Sequence, residues 1–366
     1  MNEPVVITGL GCCTALGDMP ASLWGGLESG TPAALQPVPL PQDLPACAQR
    51  EVPVARVPGP HPERLLGVRR PFPDRPSLMA IIAGDGALAA AGLGQEQDRR
   101  TLDPNRLGLV VNTCFGPSQT VERYLRTLLL EGPAQVSPIV FSRAVSNTLS
   151  GELARRHQLK GPSTLVVGST TVGYALDLLQ PGAADAVLCV GSDEVRDLHA
   201  WAYLRSALLD DGLVLGEGAG AVVMERESSA QTRGARPMAR VLGYAAGFCP
   251  EAVHHLSSLT TEALQACMLG ALADAQRPAA MVSAVVGLAN GDDYLAQAER
   301  AALAFLPPSS TLLRPKLVLG ETFGAAECLG VLAAAPVLRT EGALVLVNTH
   351  QVGGAVWTLV LEGISC

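Results

Sequence analysis

Nine cysteines and six histidines are the side chains of this sequence best suited to nucleophilic, acid–base or metal chemistry. Their spacing supports no metal centre. No Cys-x-x-Cys or His-x-x-x-His pair occurs, and such spacings are what bring thiolates or imidazoles onto one ion. Cys12 and Cys13 are adjacent, which suits neither an unstrained disulfide nor joint chelation. Cys12, Cys114, Cys189, Cys267 and Cys328 sit inside apolar runs, the usual setting of reduced core thiols in a large chain. The glycine-rich run from Gly216 to Gly220 enters a strand-like segment and lacks a following Lys-Ser/Thr. It reads as turn and packing geometry rather than a phosphate loop. No metal and no other cofactor is expected.

Any such group needs a scaffold, and 366 residues suffice for two core-forming units or one unit built on a duplicated plan. Hydrophobic residues make up 48% and charged residues 16%, which excludes a disordered chain and fits a large interior together with a large subunit interface. The formal net charge of −8 and the absence of a long Lys/Arg run argue against a nucleic-acid partner. The N-terminus carries Glu3 where a signal peptide would be basic, and no apolar stretch approaches the ~20 residues of a bilayer span. The expectation is a cytoplasmic protein with no membrane partner.

Along the chain, short β-rich runs alternate with longer helical patterns: 5–11, 77–93, 106–114, a helix after Pro117, 163–170 and 186–194. This alternation predicts a layered α/β protein with a mainly parallel sheet, its apolar strands buried on both faces. Residues 186–194 followed by 216–227 resemble 343–351 followed by 352–363, which predicts an internal duplication. The expected halves are 1–227 and 238–366, joined by a polar linker at 228–237. A proline-rich stretch from Pro37 to Pro76 shows few regular patterns and reads as a surface excursion whose role the sequence does not disclose.

Several of these segments together resemble a β-ketoacyl-acyl carrier protein synthase. The strand at 5–11 resembles that family's opening strand, residues 135–163 resemble the approach to its nucleophile, and 209–225 resemble its Gly-Glu-Gly-Ala-Gly signature. The resemblance runs from Val5 to nearly the end, and implies a thiolase-like αβαβα fold with two duplicated halves.

In that family the strand after Gly-Pro-Ser ends at a cysteine on a tight turn and a helix N-terminus. Such a place lowers a thiol pKa and supplies amides for an oxyanion. Counted from Gly161-Pro162-Ser163, the cysteine's place falls here on Thr170. The two family histidines fall on Asn290 and Glu321, while the family lysine is retained as Lys316. A neutral amide and a carboxylate cannot jointly replace two imidazoles that donate to a thioester oxygen. His350 falls where active synthases place a gating phenylalanine. Loss of all three catalytic groups most resembles chain-length factors, the non-condensing partners in type II polyketide synthases. Thr170 departs from them, standing where they carry glutamine, as does the shortened connection at 195–212.

The resemblance then implies a heterodimer with a catalytic ketosynthase, working on chains delivered by acyl carrier protein, in which a segment of this chain closes the partner's acyl tunnel. That segment maps onto 111–118, with Phe115 as the plug. A regular helix after Pro117 would set Ser118 and Glu122 on one face below Phe115; a tilted one would present Val121. Ile139 and Phe141 are expected to approach from the next segment. Other readings stay open. Thr170 can be a helix N-cap, or a nucleophile for acyl transfer or hydrolysis, a role a thiol such as Cys114 could also fill, with Glu321 as base. Phe115 can be a core aromatic, Asn290 can serve only to satisfy backbone groups, and Lys316 with Glu321 can be a stabilising ion pair.

Overall fold

The structure is a computed structural model and describes residues 3–45, 50–59, 73–94, 102–255 and 258–364. The strands in chain order are β1 (Val5–Thr14), β2 (Leu35–Pro39), β3 (Glu51–Ala55), β4 (Leu107–Thr113), β5 (Ser163–Val167), β6 (Ala186–Asp193), β7 (Leu215–Gly216) and β8 (Gly218–Arg226). Then follow β9 (Ala239–Phe248), β10 (Val282–Val286), β11 (Thr311–Leu313), β12 (Leu344–His350) and β13 (Ala355–Gly363). Ten of them join in the order β11-β10-β12-β13-β9-β1-β8-β6-β4-β5.

The order reads as two equivalent fives meeting at β1 and β9, which pair antiparallel over Val5–Ile7 and Ala239–Val241. β4 lies parallel between β5 and β6, as β10 lies parallel between β11 and β12. β6–β8 and β12–β13 are the matching antiparallel pairs, formed by the two segments whose sequences resemble one another. The sheet is therefore mixed, not mainly parallel. The short connection at 351–354 turns β12 straight back into β13, whereas β6 reaches its antiparallel neighbour β8 through a longer excursion, residues 194–217, that includes the helix Asp197–Arg205. A short helix, Glu227–Thr232, occupies the first part of the expected linker.

The helix Ala326–Leu338 packs against β6 and β8 of the first five and against β10 and β12 of the second. Eleven of its residues are buried, because AECLGVLAAAPVL is apolar on every face apart from Glu327, as a helix enclosed on every side requires. The helix Thr171–Leu179 shares this central layer, packing on β4, β6 and the helix 326–338. Outside the first five lie the helices Arg75–Ala90 and Thr148–His157, and outside the second lie Thr261–Asp274 and Asp293–Ala302. The layering is αβαβα. Each fully buried Leu or Val in it contributes about 1.5–3 kcal/mol of burial free energy.

The proline-rich stretch is more regular than its composition implies. β2 and β3 pair antiparallel with Pro37 opposite Pro53, and β3 continues parallel to β7. Proline lacks a donor, so these strands suit a small peripheral sheet rather than the interior of the large one. Residues 46–49 and 60–72 of the stretch lie outside the described residues.

Candidate functional site

β5 runs at the end of the sheet, and its chain turns through Gly168 (φ +58°), a left-handed conformation that favours glycine. Thr170 follows as the N-cap of the helix Thr171–Leu179, its Oγ1 accepting from the Gly173 N–H at 2.8 Å. The same hydroxyl donates to Glu327 Oε1 at 2.5 Å. Glu327 Oε2 accepts from the Thr171 N–H and hydroxyl, both at 2.7 Å, and from the Val172 N–H at 3.3 Å. The Trp357 indole N–H, from β13, donates to Oε1 at 2.8 Å. Five donors from two neighbouring elements thus converge on one carboxyl group.

This arrangement fills the anion site of the turn. The amides at the start of the helix, where the macrodipole favours a negative charge, point at the chain's own carboxylate. Burial pushes Glu327 above the usual carboxylate range, and the hydrogen bonds from Thr170, Thr171 and Val172 oppose that rise. Thr170 and Glu327 are both buried. Glu327 is not among the sequence candidates, which name Glu321 as the base for Thr170. A signal exists: Glu327 is the lone charged residue in the apolar run 323–338, and a carboxylate placed in such a helix needs buried partners.

The other degenerate positions form a second cluster. Glu321 Oε2 accepts from Lys316 Nζ at 2.8 Å and from Asn290 Nδ2 at 2.9 Å, and its Oε1 accepts from the Phe323 N–H at 3.2 Å. All three of Lys316, Asn290 and Glu321 are buried. Asn290 also accepts from the Asp292 N–H at 3.2 Å. These groups are committed to one another rather than aimed at a reacting atom. Asp193, buried at the end of β6, accepts from the Thr113 hydroxyl and from the Cys114, Phe115 and Gly324 amides between 2.6 and 2.9 Å. It fixes the turn that presents Phe115. Burial, then the nearby Asp193 and Glu321 charges, push the Cys114 thiol well above its usual range, so it is a thiol at neutral pH. It donates to Gln351 Oε1 at 3.0 Å.

Phe115 stacks on His199 with ring centroids 4.3 Å apart and meets Phe323 edge-on at 4.7 Å. Burial lowers His199 to about 4, so the stack is between two neutral rings at physiological pH. Phe115 lines two spaces at once. One is a cavity of about 200 Å³ bounded by Tyr203, Leu213, Asn290 and Val352. The other is a groove of about 450 Å³ along the helix Ser118–Leu130, bounded by Ser118, Val121, Glu122, Leu125, Leu129 and Leu198.

Four expected tunnel residues, Phe115, Ser118, Val121 and Glu122, therefore share one groove. Ile139 does not join them: with Val140 it lines a polar groove on another side of the helix, beside Arg123, Arg143 and Glu152. Phe141 packs on Tyr124 with ring centroids 5.5 Å apart. His350 ends β12, buried and opposite Val356. Among the described residues no three His, Cys, Asp or Glu side chains gather as a metal site, and no helix is long and apolar enough to cross a membrane.

Below the groove, the Ser118 hydroxyl donates to Glu194 Oε1 at 3.2 Å, and burial pushes Glu194 up to about 7. A carboxyl raised in the fold stabilises it below its unfolded value of 4.5, and that stability is lost as pH rises through 7. Glu194→Gln, which mimics the protonated form, is expected to stabilise the protein at pH 8 by up to about 3 kcal/mol and to change little at pH 4. Thermal unfolding at the two pH values measures the difference.

The sequence profile of the family described as beta-ketoacyl synthase, N-terminal domain, matches residues 2–230. Nodulation protein E of Rhizobium leguminosarum bv. trifolii is 29% identical over 295 residues, covering 75% of this chain and 70% of that protein. The 3-oxoacyl-[acyl-carrier-protein] synthase 2 of Rhizobium meliloti (strain 1021) is 28% identical over 376 residues, covering 92% and 86%. Among solved structures, the ishigamide ketosynthase/chain length factor superposes with a TM-score of 0.81 at 26% identity, covering 99% of this chain and 100% of that one.

Proposed function

The chain belongs to the β-ketoacyl synthase family, and we propose that it is a member without condensing activity, a chain-length-factor subunit. In this reading it pairs in the cytoplasm with a catalytic ketosynthase, stabilises it, and limits the length of the acyl or polyketide chain built on acyl carrier protein.

The observation that carries the reading is the carboxylate of Glu327 filling the anion site at Thr170. An acyl-transfer site must keep its amides free for the oxyanion that forms in the transition state; here the Thr171 and Val172 amides are taken up by the Glu327 carboxyl group. Lys316, Asn290 and Glu321 are likewise bound together. A subunit face is supported by the open edge of β5 and by exposed apolar side chains. Val167 is 62% exposed, and Leu129 and Leu130 of the groove helix are each 78% exposed. An uncovered edge and apolar patch of this kind call for a partner.

Co-expression with the ketosynthase of the same gene neighbourhood tests the pairing. The expected result is co-purification of the two chains. A stable homodimer of this chain with no affinity for that ketosynthase would sink the proposal.

One contact favours a second reading. The Thr170 hydroxyl donates to a carboxylate, the relation of a nucleophile to its base, which would suit an acyltransferase or hydrolase with Glu327 in the place expected for Glu321. Against it, Thr170 and Glu327 are both buried and the turn's amides are occupied. A covalent acyl adduct abolished by Thr170→Ala would favour that reading.

A further inference from the structure

The turn that carries Phe115 is gathered around one side chain. Asp193 Oδ2 accepts from the Cys114 N–H at 2.7 Å, and Oδ1 accepts from the Phe115 N–H at 2.9 Å and the Thr113 hydroxyl at 2.6 Å. That hydroxyl in turn accepts from the Gly116 N–H at 2.9 Å. The successive amides of 114, 115 and 116 therefore end on Asp193 or on a group it holds, a backbone nest closed around a carboxyl group. The same Oδ2 reaches a second turn at the Gly324 N–H, 2.8 Å away. The approach is close enough to require glycine: a Cβ at 324 would stand 2.7 Å from Asp193 Oδ2 and 2.8 Å from Thr113 Cα.

The second turn carries Phe323, whose ring meets Phe115 edge-on. Phe323 has φ +49°, strained for a bulky residue and kept only where the surroundings over-determine it. Its N–H donates to Glu321 Oε1 at 3.2 Å, its carbonyl accepts from Gln351 Nε2 at 2.6 Å, and the next amide is the Gly324 donor to Asp193.

We infer that Asp193 is the positioning residue of the Phe115 wall: its carboxyl group clamps the Phe115 turn to the Phe323 turn, so that the two rings stand together at one fixed depth. What that depth limits rests on the chain-length reading above; the clamp itself does not. The physical reason is the number of acceptor sites. Four donors share the two oxygens of a fully buried side chain. Asp193→Asn offers one oxygen to one pair of donors and turns an N–H₂ toward the other pair, which is left unsatisfied.

Cys114 reports on the clamp without any product, because its N–H belongs to it and its thiol is half-buried. The test is iodoacetamide labelling of the purified protein at mildly alkaline pH, read peptide by peptide by mass. Cys114 is expected to react about 5-fold faster or more in Asp193→Asn, the low end of what one unsatisfied buried group costs. Thr113→Val keeps the carboxyl group but removes one of its donors, and should accelerate labelling by a smaller factor. Cys189 and Cys328, which are buried, should keep the parent rate. In the complex with the ketosynthase, Asp193→Asn should shift products in the same direction as Phe115→Ala and add nothing to it in the double variant, since both act through one ring.

Parent-like labelling of Cys114 in both variants overturns the inference. Faster labelling of Cys189 and Cys328 alongside Cys114 also does, because it means that the whole fold has loosened rather than one turn. Acceleration in Asp193→Asn alone counts against it too, as the effect of removing a charge beside the thiol. A product shift of equal size with and without the Phe115 ring would place the action of Asp193 elsewhere and overturn it. If labelling follows the expected pattern while neither Phe115→Ala nor Asp193→Asn moves product length, the clamp stands and the chain-length reading falls. Should Asp193→Asn not fold, the labelling of Thr113→Val decides alone.

Discussion

Glu327→Ala is expected to destabilise the chain by about 3–5 kcal/mol, because it removes a buried carboxyl group on which five hydrogen bonds converge. The substitution strands the Trp357 indole N–H, the Thr171 amide and two threonine hydroxyls in a space that water does not reach. It also leaves a cavity between the helix 326–338 and the start of the helix 171–179, two central elements that both halves of the sheet enclose. Glu327→Gln keeps the volume but turns an N–H₂ toward a donor, so it should lose less, about 1–3 kcal/mol. Chemical denaturation of the purified protein orders the three forms. A Glu327→Ala protein as stable as the parent would mean that the carboxylate is not what holds the turn, and the occupied anion site would lose its meaning.

Phe115→Ala is expected to lengthen the product made by the complex, by about two or three two-carbon units, because it removes a phenyl ring from the wall between two spaces. The groove of about 450 Å³ and the cavity of about 200 Å³ beside Asn290 both end on this ring. With the ring gone, a chain entering along the helix 118–130 can run on between His199, Tyr203 and Leu213 toward the vacated site. The change acts through space rather than chemistry, so the rate of condensation at the partner should alter far less than the product distribution. Product masses from the parent and variant complexes provide the comparison. The cluster of Phe323, His199 and Tyr203 around Phe115 also means the ring sits within its own chain's packing.

What the sequence could disclose followed local signals. The apolar runs at 5–11, 106–114 and 163–170 form β1, β4 and β5 because their β-branched residues, bounded by glycine or polar turns, read the same way locally and in the sheet. Thr170 as an N-cap follows from a hydroxyl ahead of a helical run. The pairing of Thr170 with Glu327 spans 157 positions, and nothing local to either residue names the other. The same holds for His199 against Phe115, which meet only because the chain between them passes through β5 and β6 and returns. The pairing of Pro37 with Pro53 illustrates the opposite failure: prolines suppress strand propensity, yet Pro37 lies on the edge strand β2 and Pro53 just before the part of β3 that pairs with β7, so their missing donors cost little and β2 and β3 form regardless. Asn290, Lys316 and Glu321 are located by motif, but the hydrogen bonds that join them appear only once β10, the short helix Pro315–Leu319 and the turn after it are folded together.

Native mass spectrometry of the co-expressed complex, after loading with an acyl thioester, tests the central claim most directly. The account predicts a one-to-one heterodimer carrying a single acyl group, all of it on the ketosynthase and none on this chain. A homodimer of this chain, or an acyl group bonded to Thr170, would contradict it.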